Sequence, residues 1–217
     1  DMAARVSDWY FCNGNTLDAT TLSGEDGTAS VLDNEVTGGS NTLSAISSDS
    51  QADGLVHDNV VDGSQNELVA EAANDSADAE VTFNDVSGQN HSVTAYAGGD
   101  SVNDSSGAFA SGNHVDGDGN SIDATVVDGA TDAIASASLN LVSGQFNDVG
   151  ATAEGNSSGA FAALNAVEGI GNQASATAEG DDSGAEALFN DLSGTGNNLS
   201  ATTGGSATGA FASTDGN

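Results

Sequence analysis

The sequence predicts an all-β fold, a β-solenoid (β-helix) of about eight coils of about 25 residues with two or three short strands per coil and no capping domain. Three observations predict it: a recurring asparagine-anchored motif, apolar alternation of period two inside each copy, and a composition of small residues without proline. The solenoid is read as one domain over 1–217, with 1–7 as a short lead segment and repeats from about residue 8 onward.

The motif is N-x-[VL]-x-G-x-x-N-x-[LVI]-x-A. One copy holds Asn140, Val142, Gly144, Asn147, Val149 and Ala151; the next holds Asn165, Val167, Gly169, Asn172, Ala174 and Ala176; a third holds Asn190, Leu192, Gly194, Asn197, Leu199 and Ala201. Earlier copies start at Asn34, Asn59, Asn84 and Asn113, with Asp8 as a degenerate first anchor and Asp215 where a ninth would begin. Successive anchors are 26, 25, 25, 29, 27, 25, 25 and 25 residues apart, a regularity that chance does not produce.

Strands follow from parity. Leu43, Ala45 and Ser47, then Val93, Ala95 and Ala97, then Leu199, Ala201 and Thr203 alternate with mostly polar neighbours, as in a strand with one buried face. A second alternating stretch precedes each anchor, seen in Ala108-Phe109-Ala110, Ala160-Phe161-Ala162, Ala185-Glu186-Ala187 and Ala210-Phe211-Ala212. Glycines such as Gly98-Gly99, Gly155, Gly180 and Gly204-Gly205 mark the corners.

Competing folds fare worse. Residues 67–81 are compatible with a helix, but elsewhere Gly, Asn, Asp and Ser recur every few positions, at up to about 1 kcal/mol each in a helix interior. Collagen is excluded because Pro is absent and Gly has no period of three. An acidic, largely disordered surface or matrix protein is the remaining alternative from composition, but disorder gives no reason for apolar parity to stay in register over eight copies.

Stacking the coils places the first asparagines in one column and the second in another. The first column is Asn34, Asn59, Asn84, Asn113, Asn140, Asn165 and Asn190; the second is read as Asn15, Asn41, Asn66, Asn90, Asn120, Asn147, Asn172 and Asn197. Amides stacked at a bend pass hydrogen bonds from coil to coil and satisfy polar groups that the bend would strand.

Gly169-Ile170-Gly171-Asn172-Gln173-Ala174, and in part Gly194-Thr195-Gly196-Asn197 and Gly117-Asp118-Gly119-Asn120, resemble the G-x-G-N-x-A core of curli-type and related bacterial extracellular β-solenoid repeat proteins. The repeat here is a few residues longer and lacks most of the curli glutamines. The resemblance implies a self-assembling extracellular fibre.

Charge narrows the partners. Thirty-three acidic residues face one cation, Arg5, for a formal net charge of −32. Nucleic acid is excluded by sign, and a saline or calcium-containing exterior is favoured because salt screens the repulsion. The opening at Asp1 fits a secreted protein that has lost a signal peptide. Cys12 has no partner for an intrachain disulfide.

The expected function is therefore a structural subunit of an extracellular or cell-surface filament, with the chain itself as partner in a head-to-tail homopolymer and with no membrane insertion. Trp9, Tyr10 and Phe11 at one end and Ala210, Phe211 and Ala212 at the other are the candidate subunit junction, and Phe109, Phe161 and Phe211 the candidate lateral contact. No enzyme is expected, since Lys is absent and Arg5 is remote from the repeats. No cofactor or assigned metal site is expected beyond weak calcium binding by clustered carboxylates such as Asp181 and Asp182. Asp116-Gly117-Asp118-Gly119-Asn120 opens like a calcium loop, but the twelfth position is Val127. His57, His91 and His114 occupy different repeat positions and read as isolated surface side chains. The alternative function is an ice-binding or calcium-binding solenoid; Thr20, Thr125, Thr152, Thr177 and Thr202 share a column that Ile46, Glu71 and Tyr96 interrupt.

Overall fold

Alternation of small apolar and polar residues lays down three strands per coil. One coil consists of Thr28–Leu32, Glu35–Gly39 and Thr42–Ser47, and the next of Asp53–His57, Val60–Ser64 and Glu67–Ala73. A computed structural model describes residues 3–7, 10–11, 13–21, 27–48, 51, 53–73, 78–98, 106–127, 133–163, 165–204 and 210–214, with backbone only at 3, 10–11, 189–190 and 210–214. Each described strand pairs in parallel with its equivalent one coil on, as in Val31↔Val56, Val61↔Val86 and Ala95↔Ala124. The outcome is a parallel β-solenoid of about seven turns with three faces. The helix-compatible stretch is strand, Glu67–Ala73 and Asp78–Thr82, because its apolar parity matches the neighbouring coils.

The interior is thin and lined by small apolar side chains. Inward positions of the first face carry Val31, Val56 and Val81, then Ala110, Ala137 and Ala162; the second face carries Val36, Val61, Val86, Val115, Val142 and Val167; the third carries Leu43, Leu68, Val93, Ile122 and Val149 above a row of alanines. All are buried, and each valine removed from water contributes about 1.5–3 kcal/mol. Small side chains suffice because three sheets close on a narrow cross-section.

Two of the three corners share one device. A residue in the left-handed region turns the chain, and an inward asparagine follows. Asp33, Asp58, Phe83 and Leu139 have φ of 56, 56, 55 and 58° before Asn34, Asn59, Asn84 and Asn140. Ser40, Gln65 and Phe146 have φ of 60, 58 and 58° before Asn41, Asn66 and Asn147. A non-glycine residue in this conformation costs about 1–2 kcal/mol and persists where its surroundings over-determine it.

Candidate functional site

The over-determination comes from the amides. In the first column the backbone N–H of Asn34, Asn59, Asn84, Asn113 and Asn140 donates to Oδ1 of the asparagine one coil on, at 3.1, 3.1, 3.1, 3.0 and 3.0 Å. Each Nδ2 also reaches back a coil, as in Asn140 Nδ2 to the Ala110 carbonyl and Asn165 Nδ2 to the Ala137 carbonyl, both 2.9 Å. Asn34 through Asn165 are buried, so these bonds replace water that the corner has excluded. The side chain of Asn190 lies outside the described residues.

The second column runs from Asn15 through Asn41, Asn66, Asn120, Asn147 and Asn172 to Asn197. The structure corrects one member. Asn90 is the exposed left-handed residue of its corner, φ 57°, and the buried slot belongs to His91. Its Nδ1 accepts the Asn66 N–H at 3.2 Å, and its own N–H donates to Asn120 Oδ1 at 2.8 Å. An imidazole nitrogen thus replaces an amide oxygen, and His91 is not the surface side chain that its isolation in sequence suggests. His57 and His114 are less buried and sit beside Asp58 and Asp85, at 3.0 and 3.1 Å.

A glycine column supports the second ladder. Gly144 and Gly169, φ +121 and +133°, stack so that a Cβ on Gly169 would run into the Gly144 carbonyl oxygen. That carbonyl accepts Asn172 Nδ2 at 3.1 Å. Side chains are absent from this column because the ladder's acceptor occupies their space.

The first face carries the outward residues of interest. Arg5, Ser30, Leu55, Glu80, Phe109, Ser136, Phe161, Glu186 and Phe211 form one register column. Phe109 and Phe161 have outward parity between buried alanines and are themselves half-buried; the Phe211 side chain lies outside the described residues. Upstream, Asp53, Asp78 and Glu80 gather, and burial pushes each carboxyl above its usual range. Asp53 and Asp78 reinforce the rise at Glu80, while His57 opposes it. On the third face burial likewise raises Asp123 and Asp148. Among the described residues no group of three or more His, Cys, Asp or Glu side chains is arranged to hold a metal ion. Asp181 and Asp182 are exposed turn residues.

Trp9 and Cys12 lie outside the described residues, and the junction candidates Tyr10, Phe11, Ala210, Phe211 and Ala212 are described by backbone alone. Tyr10–Phe11 pairs with Glu35 and Val36, and Ala210, Phe211 and Ala212 pair with Ala185, Glu186 and Ala187. The columns therefore continue through both groups. At the outermost described strands, Ala4, Val6, Leu199 and Ala201 pack on the core but are only partly buried.

Sequence reasoning passed over one set of residues. Phe83, Leu139 and Phe146 occupy corner positions and are 67, 62 and 68 % exposed. Their signal was position: each immediately precedes a ladder asparagine, where the left-handed turn directs a side chain to solvent.

The chain is thus a parallel β-solenoid with two amide ladders; compared with protein-family models, curated proteins and solved structures, it matches none.

Proposed function

We propose that the protein is a structural subunit of an extracellular filament, of the kind the curli-like pattern implies, assembled by stacking one solenoid on the end of another. One observation carries this reading. The inward columns are buried along the stack but only partly buried at Ala4, Val6, Leu199 and Ala201 on the outermost described strands. A further coil from a second copy, added in the same register, would bury these side chains and pair its N–H and C=O groups with the outermost described strands. The contact is heterologous and does not close, so it propagates.

Charge sets the conditions. A subunit of net charge −32 repels its copies, and salt shortens the repulsion to about 10 Å at 0.1 M. The proposed subunit works through its shape and its edges, without catalysis. Negative-stain microscopy and sedimentation at low and high salt test it: filaments with an axial repeat near 40 Å, from the eight strands of the third face at a spacing of roughly 4.8 Å, are expected at high salt. Leu199→Glu is expected to leave single folded particles. Solitary particles of the unaltered protein at every salt concentration would overturn the proposal.

A second reading has its own observation. Thr125, Thr152, Thr177 and Thr202 stand in one uninterrupted rank on the third face. Thermal hysteresis in the purified protein would favour ice binding.

A further inference from the structure

We propose that the uncharged part of the first face, from Gly107 to Phe161, is a track for a neutral, extended β-1,4-linked polysaccharide, with Phe109 and Phe161 as the sugar platforms. This inference stands apart from filament formation.

The face changes character along the axis. Its outward positions are Asp53, Leu55 and His57, then Asp78, Glu80 and Thr82, on two successive strands. The next three strands, Gly107–Ser111, Ile134–Ser138 and Gly159–Phe161, hold no charged residue at all. Glu186 restores charge on the strand beyond. In a chain of net charge −32, a surface with no charge over three consecutive strands suits an uncharged ligand, which escapes the repulsion that the rest of the surface exerts on anions.

The side chains on this surface match a sugar polymer. Phe109 and Phe161 occupy one register column with Ser136 between them. Their rings are held down along their own strands: a Cβ on Gly107 or Gly159 would meet Cε2 of the ring on the same strand. Glycine at these two positions leaves room for a ring to lie along the sheet, where it offers an apolar surface to the C–H face of a pyranose. The Ser136 and Ser138 hydroxyls, 3.0 Å apart, lie on the intervening strand and supply donors and acceptors for sugar hydroxyls.

Spacing selects the linkage. Phe109 and Phe161 are two strands apart, about 9.6 Å along the axis. Successive sugars of a β-1,4-linked glycan are flipped, so the same face returns once per disaccharide, on this length scale. One ring takes a sugar, the serines face its flipped neighbour, and the second ring takes the next. Phe211 holds the same register position two strands beyond Phe161 and extends the column.

A mostly apolar depression of about 400 Å³ beside Phe161, lined by Ile134, Ser157, Ser158, Gly159, Gly184 and Glu186, adds a hollow at the downstream end. A second protein copy is the poorer occupant. Strands of five, five and three residues cover roughly 200 Å², well short of the about 800 Å² per partner that a stable protein interface buries.

The test uses cellohexaose and chitohexaose in calorimetry and microcrystalline cellulose in co-sedimentation, with the whole folded chain. Binding is expected at both low and high salt. Phe109→Ala and Phe161→Ala are each expected to weaken it about tenfold, and the double variant to abolish it. Phe109→Leu with Phe161→Leu, which keeps bulk and removes the ring, is expected to lose binding too, while Leu139→Ser at the neighbouring exposed corner keeps it. Circular dichroism checks that each variant retains its β structure. No binding by the folded protein, or equal binding by the double-leucine variant, overturns the proposal. So does a change in the protein's own sedimentation in that variant without glycan affinity, which would assign the surface to a second copy.

Discussion

Asn66 donates its backbone N–H to Nδ1 of His91 at 3.2 Å, so within the second ladder one coil is tied to the next by an imidazole. Nε2 faces the Ser87 carbonyl at 3.1 Å, which fixes the neutral tautomer with its proton on Nε2. A second proton would sit on Nδ1, facing a donor.

His91 therefore makes the solenoid acid-sensitive. The residue is 2 % exposed, and burial pushes its pKa below the usual value. The Ser87, Gly63 and Asn66 backbone groups and the Asp62 carboxylate oppose that shift. A base whose pKa falls on folding takes up its proton more readily when unfolded. Stability is lost as pH drops through the ordinary histidine value of about 6.5 toward the folded one. His91→Asn restores an amide to the ladder, so its melting temperature is expected to fall less than that of the unaltered protein between pH 8 and pH 5. Identical pH slopes for the two proteins would sink this assignment.

The carboxylates of the first face act in the opposite direction. Burial raises Asp53, Asp78 and Glu80, so the stability associated with their protonation is present at low pH and is lost as pH rises through their folded values. Glu80→Gln is expected to stabilise the protein at pH 7 by a few tenths to about 1 kcal/mol, since these groups are half solvated and screened. Urea midpoints at pH 7 and pH 4 check both statements, and the variant is expected to gain less on acidification.

Asn140→Ala removes the acceptor for the Asn113 N–H and Nδ2, and the donor to the Ala110 carbonyl. Buried groups left unpaired cost about 1–3 kcal/mol each, so a loss of roughly 3 kcal/mol is expected. Chemical denaturation measures it. A loss below about 1 kcal/mol would mean that water replaces the amide at the corner.

Two glycines separate conformation from space. At Gly14, φ +74°, a Cβ would meet nothing within 4 Å, whereas a Cβ on Gly169, φ +133°, meets the Gly144 carbonyl. Gly14→Asn is expected to cost about 1 kcal/mol or less, because asparagine tolerates the left-handed region. Gly169→Ala is expected to cost about 3 kcal/mol or more and to weaken the Asn172 bond to Gly144. Comparable denaturation midpoints for the two variants would contradict the crowding.

The register was legible in the sequence because anchor, valine, glycine and second amide keep fixed distances, and the strands pair on that spacing. Valines such as Val36, Val61 and Val86 declare the inward parity without ambiguity. Legibility fails where residue type outweighs position. Seven residues after Asn84 stands His91, and the neighbouring Asn90 looks like the ladder member although it is the exposed turn residue. Amide and imidazole differ as residues but present a similar acceptor to the coil below. Phe83, Leu139 and Phe146 were illegible for another reason. The corner needs a left-handed φ followed by an inward asparagine, and it places no demand on the polarity of the side chain that points away.

The longer steps of 29 and 27 residues leave strand pairing intact: Tyr96 still meets Thr125, and Ile122 still meets Val149. The extra residues fall between Gly98 and Gly107 and between Val127 and Ile134, at the third corner and outside the two asparagine ladders. Two corners carry the asparagine ladders, and the third accepts added chain without altering the register of the strands on either side. Foreign peptides spliced into that corner would hang from one side of the rod at regular intervals, a scaffold for display that leaves the shaft unchanged.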